Sequence, residues 1–216
     1  MKTLSVVCVA LIIGVAAHAQ RLAVGVHAEP PPGELADPLE ALMATGGQRV
    51  HVGQTTFDFW WVKTLPLTTE SRGVAWAALA EGTLVGAVTL SAPYPDDRGR
   101  MVPAGIYTLR NVSEPQTADR SRLTPPATLL LLAPVADDDK TDPIGHDDAV
   151  ALASRTPGSS NPPAWWVDTS AAPAGSTQTA GGGPTTVNVT LPASREGMDV
   201  GTLTFGLVLV GTIQPH

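Results

Sequence analysis

Between residues 82 and 110 the chain reads GTLVGAVTLSAPYPDDRGRMVPAGIYTLR, and its apolar positions fall into two short runs separated by a polar excursion. In residues 84–90, Leu84, Val88 and Leu90 alternate with Val85, Ala87 and Thr89; β-branched side chains at this density favour a pleated surface over a helix and predict a strand. The second run, 106–110, follows Pro103-Ala104-Gly105. Proline presets φ at the second position of a turn and glycine suits the fourth position of type I, so this tripeptide launches the second strand. Residues 91–101 carry Pro93, Pro95, Asp96, Asp97, Arg98, Gly99 and Arg100. Such a stretch lies at the surface, as an inert connection or as a binding loop.

The same patterning predicts strands at 49–52, 56–65, 74–79, 105–110, 128–133, 165–168, 185–191 and 201–212. The TLLLLA run of 128–133 has no polar alternation, as expected of a strand covered on both faces. In the last strand Leu203, Phe205, Leu207 and Leu209 share one face. Helical periodicity is confined to one or two short segments, 34–43 and 147–154. The 21 glycines and 20 prolines break the rest into short pieces. These features predict an all-β fold: a single β-sandwich in jelly-roll or Greek-key style with one or two short helices, over residues 48–216. Residues 20–47, which include Glu29-Pro30-Pro31-Pro32-Gly33-Glu34, read as an extended, solvated lead-in. The small, glycine-rich residues of 171–184 read as a loop.

Residues 1–19 have the form of a secretory signal peptide: Lys2, an apolar core over 4–15, and Ala17-His18-Ala19 as the cleavage site. The expectation is an exported protein, periplasmic or extracellular, without stable membrane insertion once the leader is removed. Cys8, the one cysteine, falls inside the leader, so the mature chain is expected to lack disulfides and a thiol nucleophile. The formal charge is −7 at pH 7. Nucleic acid and anionic membranes need a basic face, so this balance argues against both and leaves a cation or a neutral ligand.

Taken together, the motifs FDFWWVKTLPL (57–67), EGTLVGAVTL (81–90), DDRGRMVPAGIYTLR (96–110), DPIGHDD (142–148) and GTLTFGLVLVGTI (201–213) resemble a group of exported bacterial proteins that carries no assigned activity. The PAG-x-YTL piece is similar to the PAGTYSL element of the DUF2911 domain family over one hairpin. The resemblance implies Asp-His-Leu-Gly where this chain has Asp119-Arg120-Ser121-Arg122, so a histidine of that group is missing here.

The chemically richest stretch is residues 137–148, where six carboxylates accompany His146. It reads as a solvated acidic loop or as a divalent-metal site built from His146, Asp142 and Asp147. No EF-hand register is present. His51 precedes Asp58 by seven residues; Asp58, set among large apolar neighbours, needs a partner if buried, and Lys63, Arg110 or a backbone amide are the candidates. His27 and His216 are expected near solvent. Trp60-Trp61 and Trp165-Trp166 each place one indole on either side of a strand. One of each pair enters the core, while the other is covered by a loop or left as a stacking platform for a sugar-like ligand. No G-x-S-x-G elbow occurs, and Ser159-Ser160 has no histidine nearby in sequence. Gly181-Gly182-Gly183-Pro184 leads to a strand rather than to a phosphate-binding helix. The leading expectation is therefore a non-enzymatic module that binds a small molecule or carbohydrate, or associates with the envelope. The alternative is a metal-dependent hydrolase using His146 and neighbouring carboxylates.

Overall fold

The computed structural model describes residues 22–70, 73–96, 98–114, 127–158, 161–170, 178–179 and 185–210. Within them, one eleven-stranded sheet curls back over itself. Its path opens with β1 (Leu22–His27), β2 (Gly47–Val52) and β3 (Thr55–Trp61), all antiparallel. The two-residue β4 (Leu65–Pro66) leaves this path, and β5 (Leu84–Leu90) returns to lie beside β3. A separate ribbon of β6 (Tyr94–Pro95) and β7 (Met101–Val102) precedes β8 (Gly105–Ser113), β9 (Thr128–Pro134) and β10 (Ala164–Asp168), which extend the meander. The last strands, β11 (Gln178–Thr179), β12 (Thr185–Arg195) and β13 (Met198–Val210), run back toward it, so that β13 lies against β10. The spatial order β10-β13-β12-β11 is a Greek key. Two α-helices complete the described residues, α1 (Asp37–Glu40) and α2 (His146–Ala153).

The sheet becomes a sandwich because β10 changes partners partway along. Ala164, Trp165 and Trp166 pair with β9, while Val167 and Asp168 pair with β13. One strand thus belongs to both leaves, and the inner faces close on each other. Phe57, Phe59 and Trp61 stand two apart on β3 and stack in a column, with ring centroids 6.1 Å and 5.1 Å apart. Phe205 of β13 meets Trp61 edge-on from the opposite leaf at 5.7 Å, and Trp165 packs against Phe57 at 5.7 Å. Tyr94 donates its hydroxyl to the carbonyl of Leu209 at 2.8 Å, tying the small ribbon to β13. Behind β9 a second apolar cluster forms: Leu129, Leu131 and Ala133 meet Ala149, Leu152 and Ala153 of α2. This is the two-sided cover expected of TLLLLA, whose Leu130 and Leu132 enter the main core.

Three stretches differ from the sequence expectation. Residues 74–79 do not form a strand; Trp76–Ala78 is a 3-10 turn. The turn places the indole of Trp76 against Phe205 at 4.7 Å, where it is 7% exposed. Residues 22–47 are not a free lead-in either. β1 is hydrogen-bonded to β2 along its length, and Leu35, Leu39 and Met43 join the main core. Burying each of these side chains stabilises the fold by roughly 1.5–3 kcal/mol, enough to hold a proline-rich segment down. Finally, the run expected over 56–65 ends at Trp61, and the chain turns before β4 pairs in parallel with β12.

The leader expected at 1–19 with Cys8, residues 119–122, Ser159, Ser160, Gly181–Pro184 and His216 lie outside the described residues, as does all of 171–184 except Gln178–Thr179. Among the described residues no helix is long and apolar enough to cross a membrane.

Candidate functional site

The tryptophans expected to offer a platform are mostly enclosed. Trp61 and Trp165 are core residues, and Trp60, on the outer face of β3, is 4% exposed. His27 covers Trp60 edge-on at 4.8 Å, and the Trp60 Nε1 donates to the Glu29 carbonyl at 3.0 Å. Trp166 is half-buried against the α2 cluster. Trp60 and Trp166 share the outer face of the sheet but stand on strands four steps apart, β3 and β10, while Trp61 points into the core.

The acidic run is divided among separate tasks. Asp142 and Asp147 are exposed. Asp139 pairs with Lys140 at 2.8 Å, which lowers the carboxyl pKa and raises that of the amine, and Asp137 lies 3.6 Å from Arg155. His146 opens α2 and turns its Nδ1 to Glu81 Oε2 at 3.4 Å rather than to a neighbouring aspartate. Among the described residues no three His, Asp or Glu side chains gather in a way that could hold a metal ion.

Asp138 instead forms a fully enclosed ion pair. Arg110 grips it with two hydrogen bonds, Nε to Oδ2 at 2.8 Å and Nη2 to Oδ1 at 2.7 Å, with both side chains fully shielded. Arg110 also donates from Nη1 to the Gly82 carbonyl and from Nη2 to the Lys140 carbonyl, and Thr108 donates to Asp138. Every charge is matched, as burial demands. Asp96 plays a similar part in the β6–β7 ribbon. It accepts from the amides of Arg98 and Arg100 and from the Arg100 guanidinium, which also reaches the Pro162 carbonyl.

Asp58 is partnered by neither Lys63 nor Arg110. It faces Arg49, its cross-strand neighbour, at 2.5 Å and 3.0 Å. This hydrogen bond and the charge of Asp58 raise the Arg49 pKa, with Glu29 adding to the effect. Lys63 donates to the Ala41 carbonyl, and His51 meets Thr56 at 2.9 Å on the exposed surface. His51 and Asp58 therefore form no acid–base pair.

The residues that sequence reasoning passed over lie between the Trp76 turn, β8 and β13. A cleft of about 490 Å³ opens there, with Glu81 as the one charged side chain on its lining among the described residues. Ser113, Thr128, Thr169, Thr202 and Thr204 supply hydroxyls around it, while Ala75, Ala77 and Leu203 supply an apolar wall. Glu81 is fixed from two sides. Both its oxygens accept the Ser113 amide, at 3.1 Å and 2.9 Å, and Oε2 faces His146. The base of the cleft is set by Trp76, whose Nε1 donates to Asn111 Oδ1 at 2.6 Å, while Asn111 Nδ2 holds the Ala80 carbonyl at 3.3 Å. Gly82 follows with φ +73°, and a Cβ there would lie 2.9 Å from Gly145. This close approach is what brings His146 to Glu81. In volume the cleft falls within the range of small-molecule sites, roughly 300–1,000 Å³. It offers hydrogen-bond partners, an apolar wall and one carboxylate, and among the described residues it offers an anion no cation. The sequence signal for it was weak: single hydroxyl residues on strands far apart in the chain.

Comparisons with protein-family models, with curated proteins and with solved structures yield no match to this chain.

Proposed function

We propose that this chain is a non-enzymatic binding module of the exported compartment, periplasmic or extracellular, and that its ligand sits in the cleft between the Trp76 turn, β8 and β13. The observation that carries this reading is the lining of that cleft: hydroxyl-bearing residues from several strands, an apolar wall and a carboxylate held by the Ser113 amide. With Glu81 as the only charge on the lining among the described residues, the ligand is a small polar molecule that is not an anion. Export rests on the leader pattern of residues 1–19.

The test is calorimetric titration of the purified mature protein with a panel of neutral, cationic and anionic small molecules, repeated on Thr202→Trp. Thr202 is exposed at the mouth of the cleft, so an indole there fills the opening without entering the core. The expected result is a ligand bound by the parent and lost by Thr202→Trp, with the free proteins equally stable. A ligand whose affinity ignores Thr202→Trp would place the site elsewhere and overturn the reading.

A further inference from the structure

Resting on the reading of this cleft as a binding site, we infer that its ligand is a neutral polyhydroxylated ring, a saccharide, whose hydroxyls donate to Glu81. An ionised carboxylate has about four acceptor sites. The Ser113 amide and His146 use part of this capacity from one side, and Glu81 also lines the cleft.

The choice between a cation and a polyol follows from the rest of the lining. An ammonium ion has donors only, so it satisfies Glu81 but accepts nothing from the O–H groups of Ser113, Thr128, Thr169 and Thr202. A sugar hydroxyl donates and accepts at once and matches a serine or threonine hydroxyl in either role. A cation also gains most from open aromatic faces. Here one indole lines the cleft; it is 7% exposed and its N–H is committed to Asn111. Ala75, Ala77 and Leu203 provide instead the modest apolar surface that suits the C–H face of a pyranose.

The experiment titrates glucose, N-acetylglucosamine and cellobiose as neutral probes, and choline and putrescine as cationic ones, against the parent, Glu81→Gln, Glu81→Leu and Thr202→Trp. Melting curves of each variant verify folding. Glu81→Gln keeps an acceptor and a shape close to the native one, so it stays informative if Glu81→Leu fails to fold. At least one saccharide is expected to bind the parent, with about tenfold weaker affinity in Glu81→Gln and roughly ten- to a hundredfold weaker affinity in Glu81→Leu. Binding of choline or putrescine without any saccharide would overturn the saccharide assignment while leaving the cleft as a site. Saccharide binding that ignores Glu81→Gln and Thr202→Trp alike would overturn both. A parent that binds none of the saccharides at millimolar concentration overturns the assignment, and the broader panel with Thr202→Trp then decides whether the cleft binds anything.

Discussion

Nη2 of Arg110 lies 2.7 Å from Oδ1 of Asp138, and neither side chain is reached by solvent. The pair joins β8 to the turn after β9 and, through the Gly82 carbonyl, to the turn that carries Glu81. Removing one partner strands the other charge inside the protein. Asp138→Asn and Arg110→Met are each expected to cost about 3–5 kcal/mol in urea denaturation. The double variant Arg110→Met with Asp138→Leu should recover a large part of that loss, because no charge is then left buried. Equal stability of the single variants and the parent would show that the pair is not buried as described.

Gly47 and Gly25 offer a matched pair of substitutions on neighbouring strands. A Cβ at Gly47 would lie 1.8 Å from the Phe59 carbonyl and 2.7 Å from His27 Nε2, while one at Gly25 would meet nothing within 4 Å. Gly47→Ala is therefore expected to destabilise by roughly 1–3 kcal/mol or more, and Gly25→Ala to stay within about 0.5 kcal/mol of the parent. Chemical denaturation of the two variants side by side checks this.

Burial pushes the Tyr94 hydroxyl up to about 12 from 10.0, and burial raises Tyr107 as well. The folded protein thus holds these protons where the unfolded chain releases them. Their contribution is complete below about pH 10 and is lost as the pH rises toward 12, so stability should fall across that window. Tyr94→Phe should make the decline shallower while costing about 1 kcal/mol at neutral pH through the lost hydrogen bond to Leu209. Melting temperature against pH for the parent and the variant measures both effects.

Four of the five tryptophans, Trp60, Trp61, Trp76 and Trp165, are no more than 7% exposed, and Trp166 alone is half-buried. Acrylamide should quench the native fluorescence poorly, and Trp166→Phe should remove most of the quenchable fraction. Strong quenching that survives Trp166→Phe would mean that another indole is open to solvent.

Where the sequence carried a local signal, the strands could be read from it: β5 has the expected limits, and TLLLLA is covered on both faces. The Trp76 turn escaped notice because VAWAAL has the composition of a strand, and its conformation is set by Phe205 and Asn111, far away in the chain. Arg110 was visible as a charge inside a strand, but its partner Asp138 is hidden among five other carboxylates, and only the fold singles it out. The partner of Asp58 depended on register: Arg49 lies directly opposite it across β2 and β3, a relation no linear spacing displays. The cleft was the least legible feature, since its hydroxyls come from strands that meet only when the sheet curls.

The closing strand of the sandwich, β13, is also the last strand among the described residues. Phe57, Phe59 and Trp61 are made early, yet the ring that seals them from the opposite leaf is Phe205, and Tyr94 waits for the carbonyl of Leu209. On a ribosome that extends the chain from its N-terminus, the column therefore lacks its cover from the opposite leaf until residue 205 has been added, roughly 140 residues after Trp61. A polypeptide stopped short of β13 would present that column to its surroundings as an adhesive surface, making premature termination more hazardous to this protein than the loss of a surface strand.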